Sequence, residues 1–232
     1  MTKPSFDIIS DLHLGPGDIF DWDDKATSLY CIIAGNISND ILVIHQTLLH
    51  LSKFYQGVFY IAGSLEYEDQ NYEERTTEIF NVCSRMRNVV SLHNHVVIVD
   101  GVAVLGANGW YGNTKPCNMF DEAQHEVSRY EDITYLGATL EKLQLHLDVK
   151  KVIMVTNSAP ASDLFFGEQP AGIYSMIPVS ASLLYDTEQK VSHWIYGSYS
   201  KTVDTQINGV NYINNSYYNR SPYWPVRVEI TL

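Results

Sequence analysis

Short apolar segments that each end in a polar loop recur along this chain, and they constrain its fold more than any other feature. They lie at residues 6–15 (FDIISDLHLG), 31–36 (CIIAGN), 57–66 (GVFYIAGSLE), 151–160 (KVIMVTNSAP) and 193–200 (HWIYGSYS). Short apolar runs that stop at Gly and polar residues are typical of buried strands in parallel sheets. The pattern therefore predicts a layered α/β fold, with a polar loop at the carboxyl end of each strand.

The segments between these strands predict helices and hairpins. Apolar residues spaced three and four apart predict a helix over residues 41–54, capped by Ser38 or Asn39, and two more helices over residues 72–86 and 133–147. Asp100-Gly101 and Asn208-Gly209 each separate two strand-like runs, and these dipeptides favour tight β-hairpins. Helices on a mostly parallel sheet, followed by hairpins, are consistent with one α/β domain.

The first polar loop carries an Asp-x-His pair, Asp11 and His13. Side chains two positions apart on a strand point to the same face, so an extended segment would project both groups together. A carboxylate beside an imidazole supplies half of a metal site. Strand-end Asp residues also serve as turn and cap residues, so the pair alone does not decide between these roles.

The five segments together resemble the calcineurin-like metallophosphoesterases, whose motifs read D-x-H, G-D, G-N-H-[DE], H-x-x-P and G-H-x-H. The resemblance runs over the whole chain and implies an α/β fold, a two-layered β-sandwich flanked by helices, as one domain over residues 1–232. In that family the motif side chains hold two divalent metals. One Asp bridges the metals, and a His beside the second metal assists the leaving group.

Most of the family's ligand positions are occupied by other residues in this chain. Asp11 and His13 match the first motif. The resemblance places Asn36 at the bridging Asp, Ser64 at the Asn ligand, Leu65 at the assisting His, Asn157 at the ligand His of the fourth motif, and Ser198 and Ser200 at the two His of the last. Only the first motif is intact, so no catalytic residue is expected.

These replacements predict that a two-metal centre does not assemble. Two divalent ions a few ångströms apart repel each other unless an anionic ligand lies between them, and Asn36 carries no charge. Serine hydroxyls are poor substitutes for the nitrogen ligands that histidine provides, and Leu65 cannot transfer a proton. We therefore expect no cofactor. The alternative is one weakly bound divalent metal, Mn²⁺ or Mg²⁺, on Asp11, His13 and the Asn36 amide oxygen.

The first hypothesis for function is a catalytically inactive metallophosphoesterase-like protein, a pseudoenzyme that acts by binding. Its binding residues would be Asn36, Ser64, Asn157, Ser198 and Ser200. Their amides and hydroxyls suit a phosphate or nucleotide ligand, or fill the pocket while a surface elsewhere binds a protein partner. Candidate partner surfaces are the polar segment at residues 115–131 and the aromatic loops near the C terminus.

Two alternatives remain open at this point. One is a weak phosphoesterase that uses a single metal at Asp11 and His13, or a relocated site that includes His93, His95 or His193. The other is an acidic decoy that occupies a nucleic-acid-binding protein.

Composition narrows the classes of partner. The net charge of −12 and the pI of about 4.9 argue against direct binding of nucleic acid or anionic membranes, because both require a basic surface. The sequence shows no signal peptide and no apolar run of membrane-spanning length. The three cysteines show no C-x-x-C spacing, which favours a reducing compartment. The expected location is the cytoplasm.

Overall fold

The first of two sheets carries the first three predicted strands. In the computed structural model, which describes residues 3–18, 20–110, 119–161, 164, 179–217 and 222–232 (backbone only over 119–126), this sheet has five strands. They are β1 (Ser5–Ile9), β2 (Tyr30–Ala34), β3 (Gly57–Ile61), β4 (Val89–Ser91) and β11 (Val226–Glu229). The order is β11-β1-β2-β3-β4, and only β11 runs antiparallel to its neighbour.

The second sheet contains the remaining six strands. They are β5 (His95–Val99), β6 (Val102–Gly106), β7 (Lys151–Thr156), β8 (Val191–Tyr196), β9 (Val203–Ile207) and β10 (Val210–Asn214). The order is β5-β6-β7-β8-β10-β9, with parallel pairing from β6 to β10 and an antiparallel strand at each edge. The carboxyl ends of the parallel strands of each sheet therefore lie together along one edge.

Three apolar clusters show how the layers pack. Phe6, Ile32 and Phe59 of the first sheet lie in one cluster with Val104 and Ile153 of the second. A second cluster joins the other face of the first sheet to the first two helices, and a third joins the second sheet to the long helix. The central strands β1, β2, β3 and β6 are buried on both faces, which explains why they read as continuous apolar runs. The predicted two-layered β-sandwich flanked by helices is confirmed.

The helices lie where the sequence predicts them, but their first and last residues differ from the prediction. Helix α1 (Ile41–Leu51) begins after Asp40, whose carboxylate accepts the Leu42 N–H at 2.8 Å, so the predicted cap at Ser38 or Asn39 was wrong. Helix α2 (Tyr72–Ser84) matches its prediction within two residues. Helix α3 (Met119–Leu145) begins well before residue 133, so it was predicted too short. Both predicted hairpins are present.

No helix within the described ranges is long and apolar enough to cross a membrane. Cys31 and Cys83 are buried, free thiols, consistent with a role in core packing. Cys117 lies outside the described residues.

Candidate functional site

A pocket of about 270 Å³ opens where the carboxyl ends of the two sheets meet. It is lined by polar side chains from the loops after β1, β2, β3, β8 and β10: Asp11, His13, Asn36, Ser64, Ser198, Tyr199, Ser200 and Ser216. Six of these eight were predicted as site residues from the sequence. Tyr199 and Ser216 were missed, and only their positions beside predicted site residues could have indicated them.

Asp11 and His13 reach this pocket from a loop. Strand β1 ends at Ile9, and both residues have left-handed backbone conformations, with φ of 55° and 48°. Their common direction therefore comes from loop geometry and not from strand alternation, which corrects the sequence argument. Asn36 and Ser198 are also left-handed, with φ of 59° and 54°. Residues other than Gly rarely adopt this region, and such strain is concentrated at functional sites.

Asn36 points its amide nitrogen into the pocket floor. Its Oδ1 accepts the backbone N–H of Leu65 at 3.0 Å, and a backbone N–H can only donate, so the orientation of the amide is fixed. Nδ2 consequently faces Asp11 Oδ1 at 2.8 Å and Ser198 Oγ at 3.1 Å. The amide oxygen does not face Asp11. At the position that the resemblance assigns to the bridging carboxylate, this chain presents a hydrogen-bond donor.

Asn157 joins the loops of the two sheets beneath the pocket. Its Nδ2 donates to the Ala34 carbonyl at 3.0 Å, and its Oδ1 accepts the Ser198 hydroxyl at 2.6 Å and the Ser64 N–H at 3.3 Å. Asn157 is 3% exposed. The side-chain oxygen and nitrogen of Asn157 are therefore both bonded to other protein groups, so Asn157 holds the loops together and does not face a ligand.

Glycines make this close approach possible. A Cβ on Gly35 or Gly63 would collide with the Asn157 side chain, and a Cβ on Gly197 would collide with the Ala34 carbonyl oxygen. These three glycines stand at the carboxyl ends of β2, β3 and β8. The sequence signal of a strand that ends in Gly thus reflects the contact of these loops with each other.

Glu66 holds two of the loops in place and was missed as a site residue. It is fully buried, and its carboxylate accepts from Asn36 N at 3.0 Å, Ile37 N at 2.6 Å, Gly63 N at 2.7 Å and Tyr60 OH at 3.0 Å. Burial raises its pKa to about 7, although these donors act in the opposite direction. The available signal was its place at the acidic fourth position of the G-N-H-[DE] motif.

The carboxylate of Asp11 is also buried, at 2% exposure. Its Oδ1 accepts from the Asn36 amide and from Ser198 N at 2.8 Å, whereas Oδ2 is buried and has no hydrogen-bond partner among the described residues. Burial raises the pKa of Asp11. The hydrogen bonds from Asn36 and Ser198 and the charge of His13 lower this pKa in part.

This donor set does not fit a pair of divalent metals. Within the part of the chain that the structure describes, no group of three or more His, Cys, Asp and Glu residues could hold a metal ion. The amide nitrogen of Asn36 cannot act as a ligand in the orientation that its hydrogen bonds impose. We derive no chemical step through a metal at this site.

The other histidines lie elsewhere. His93 Nδ1 donates to Asn108 Oδ1 at 2.8 Å, because Asn108 Nδ2 is committed to the Ala62 carbonyl. His95 is exposed on an edge strand, and His193 contacts Ser192 and Asn211 on the second sheet. None of the three lines the pocket.

Solved structures of calcineurin-like metallophosphoesterases have the same architecture, so the chain has the calcineurin-like metallophosphoesterase fold. It is similar to the phosphopantetheinyl hydrolase PptH from Mycobacterium tuberculosis, with a TM-score of 0.65 and 16% identity over 98% of this chain and 96% of that one. A protein described as a 5′-nucleotidase from Staphylococcus aureus matches with a TM-score of 0.56 and 13% identity. That match covers 93% of this chain and 49% of the other.

GAP50 of Plasmodium, described as the anchor in the inner membrane complex, matches with a TM-score of 0.52 and 11% identity, over 93% of this chain and 72% of that one. By sequence, the chain is 22% identical to the uncharacterized protein L509 of Acanthamoeba polyphaga mimivirus, over 87% of this chain and 86% of the relative. No protein-family model matches. At these identities the similarities establish the fold and leave the activity to the site.

Proposed function

We propose that this protein is a metallophosphoesterase-like pseudoenzyme, which acts by binding and does not hydrolyse phosphoesters. The observation that carries the proposal is the orientation of Asn36. Its Nδ2 lies 2.8 Å from Asp11 Oδ1, so a proton donor stands where two cations would need a shared anion. The pocket floor is stabilised by hydrogen bonds that a metal pair would have to break.

The remaining catalytic parts are also missing. Leu65 stands at the position of the assisting His, and its side chain cannot take part in proton transfer, a step worth about 10²- to 10⁴-fold in rate. Ser198 Oγ is already bonded to Asn157 and Asn36. A single metal on Asp11 and His13 would lack the Asn36 amide oxygen, which accepts from Leu65 N instead. These contacts favour binding over residual hydrolysis.

The experiment is metal analysis of the purified protein together with an assay on bis-p-nitrophenyl phosphate in added Mn²⁺. We expect less than one tightly bound metal per chain and no turnover above that of Asp11→Ala. Two tightly bound metals, or turnover that Asp11→Ala abolishes, would contradict the proposal.

We also propose that the protein binds a protein partner through a surface outside the pocket. In the segment at residues 115–131, residues 115–118 lie outside the described residues and residues 119–126 are described by their backbone only, so this candidate stays a prediction. The pocket itself is described, and its chemistry allows a more specific inference about its ligand.

A further inference from the structure

The pocket has an unusual balance of charge for a phosphate site. Among the described residues, its lining contains one carboxylate, one imidazole, one amide and five hydroxyl groups, with no Lys or Arg. Phosphate sites in proteins supply cationic side chains, metal ions or several convergent backbone N–H groups. Here a phosphate dianion would instead lie beside the Asp11 carboxylate without a metal to separate the charges.

The hydrogen-bond donors to Asp11 are neutral groups, and the charge of the nearby His13 opposes the effect of burial on its pKa only in part. The two donors to its Oδ1 are the Asn36 amide and the Ser198 backbone N–H, and Oδ2 has no hydrogen-bond partner among the described residues. The ion pairs found in the described part of the chain do not include it. A carboxylate that is 98% removed from solvent and neutralised by no Lys or Arg attracts a cation.

The net charge of the whole chain has the same sign. The loop that follows His13 exposes four carboxylates, and the segment after Leu65–Tyr67 exposes two more: Asp18, Asp21, Asp23, Asp24, Glu68 and Asp69. Asp23 lies 4.0 Å from His50, in the last turn of α1, so this loop extends away from the pocket. With a net charge of −12, the chain attracts cations and repels anions in general, and the local preference depends on Asp11.

The hydrogen bonds also distinguish among cations. A guanidinium prefers to bind both oxygens of one carboxylate, and Asp11 Oδ1 already accepts two hydrogen bonds. An ammonium is a compact point charge with three donors, which suits a rim of single hydroxyl acceptors such as Ser64 and Ser200. The pocket volume of about 270 Å³ is sufficient for the end of an extended amine.

We propose that the pocket binds a primary ammonium group, supplied by a lysine side chain of a partner or by a free polyamine, and that it rejects phosphate. This inference rests on the proposed function, because it requires a pocket without a metal pair. The sequence analysis named a phosphate or a nucleotide as the candidate ligand, and the structure favours a cation in its place.

The test is an NMR titration of the metal-free protein with Nα-acetyl-lysine methylamide and with its isosteric norleucine analogue. We expect the lysine compound to shift the backbone signals of Asp11, Ser64 and Ser198, and the norleucine compound and inorganic phosphate to leave them in place. Equal binding of the two analogues, or preferential binding of phosphate or AMP, would overturn the inference. Tighter binding of spermidine than of the lysine compound would identify a free polyamine as the source, and the reverse order a partner's lysine.

Two variants distinguish the effect of the Asp11 carboxylate in the pocket from the effect of the net negative charge of the chain. Asp11→Asn keeps an oxygen for the Asn36 and Ser198 donors and removes the charge, so amine affinity should fall on the order of tenfold. Asp23→Asn makes the same change in net charge on the exposed loop and should alter affinity less than about twofold at physiological salt. Equal effects would contradict a pocket site. If Asp11→Asn does not fold, Ser200→Ala, which removes one rim acceptor, should still weaken binding several-fold.

The test of amine binding and the test of the proposed function can fail independently of each other. A preparation that holds two metals and hydrolyses the phosphodiester would contradict the proposed function, whatever the amine does. A metal-free, inactive protein that prefers phosphate would contradict this inference alone.

Discussion

Glu66 shows how one residue can hold a site without touching a ligand. It is fully buried and receives four hydrogen bonds, two of them from consecutive N–H groups of the loop after β2. These donors favour the carboxylate, whereas burial favours the neutral acid, and burial has the larger effect on the pKa, which is about 7. The folded chain therefore binds this proton more tightly than the unfolded chain, in which the ordinary value is 4.5.

The consequence for stability can be tested with Glu66→Gln. Between pH 4.5 and 7 the folded state binds more protons than the unfolded state, so the contribution of Glu66 to stability is fully present below that window and is lost as the pH rises through it. We expect the unfolding free energy of the parent, minus that of Glu66→Gln, to fall by up to about 3 kcal/mol from pH 5 to pH 8. Urea unfolding at several pH values measures this difference. A difference that rises with pH would show that the four donors outweigh burial.

At the scale of single residues, the sequence indicated which residues lie at the site better than it indicated where their side chains point. The structure brings Asn36, Asn157 and Ser198 together, because the carboxyl ends of the strands of the two sheets meet at the pocket. The direction of the Asn36 amide depends on the Leu65 N–H, which a sequence does not position. Three of the four partners of Glu66 are backbone N–H groups, which residue types do not indicate, so only its place at the acidic position of the third motif could have identified it.

At the scale of elements, the site depends on how closely the strand ends approach each other. Gly197 follows β8, and a Cβ at this position would collide with the Ala34 carbonyl at the end of β2. The contact links the two sheets where they meet below the pocket. Backbone atoms form both sides of this contact, so neither side can move as a flexible side chain would.

We therefore expect Gly197→Ala to destabilise the protein by about 2–4 kcal/mol. Gly209→Ala is the matched control: Gly209 has φ of +85° and no heavy atom within 4 Å of the added Cβ, so its cost of about 1 kcal/mol reflects backbone strain alone. Thermal or urea unfolding compares the two variants. A Gly197→Ala variant as stable as Gly209→Ala would contradict the packing argument.

Element boundaries were predicted where local signals are strong. Asp100-Gly101 and Asn208-Gly209 adopt the left-handed conformations that the hairpin rule requires, with φ of 49° and 81°, and 50° and 85°. Helix α3 was predicted too short, although Phe120, Ala123, Val127 and Tyr130 in its first half are spaced three and four apart. Val127 and Tyr130 are exposed in the structure, and the many polar residues between these positions obscured the pattern.

At the scale of the whole molecule, the fold was predictable from the order of its apolar segments, whichever residues stand at the motif positions in the loops. The layers are fixed by strands buried on both faces, such as β2 and β6, whereas the motif residues sit in loops beyond them. Fold and site chemistry can therefore change independently.

This independence predicts that substitutions in the loops can build a metal-binding, hydrolytic site on this fold. A variant with six substitutions, Asn36→Asp, Ser64→Asn, Leu65→His, Asn157→His, Ser198→His and Ser200→His, should retain Mn²⁺ after dialysis and hydrolyse bis-p-nitrophenyl phosphate faster than the parent. The control carries the last five and keeps Asn36, and it should bind less metal because no anion lies between the two positions. Metal analysis and circular dichroism on both variants provide the test. A folded six-substitution variant without metal would contradict it.

The bonds of Asn157 have a further consequence for hydrogen exchange. This one side chain bonds to the end of β2 and to the loops after β3 and β8, so an opening that displaces Asn157 breaks all three contacts together. The amide protons of Ser64, Gly197 and Ser198 should therefore exchange with solvent deuterium at one common rate, as a single cooperative unit. Asn157→Ala should divide that unit, so that each loop exchanges at its own faster rate.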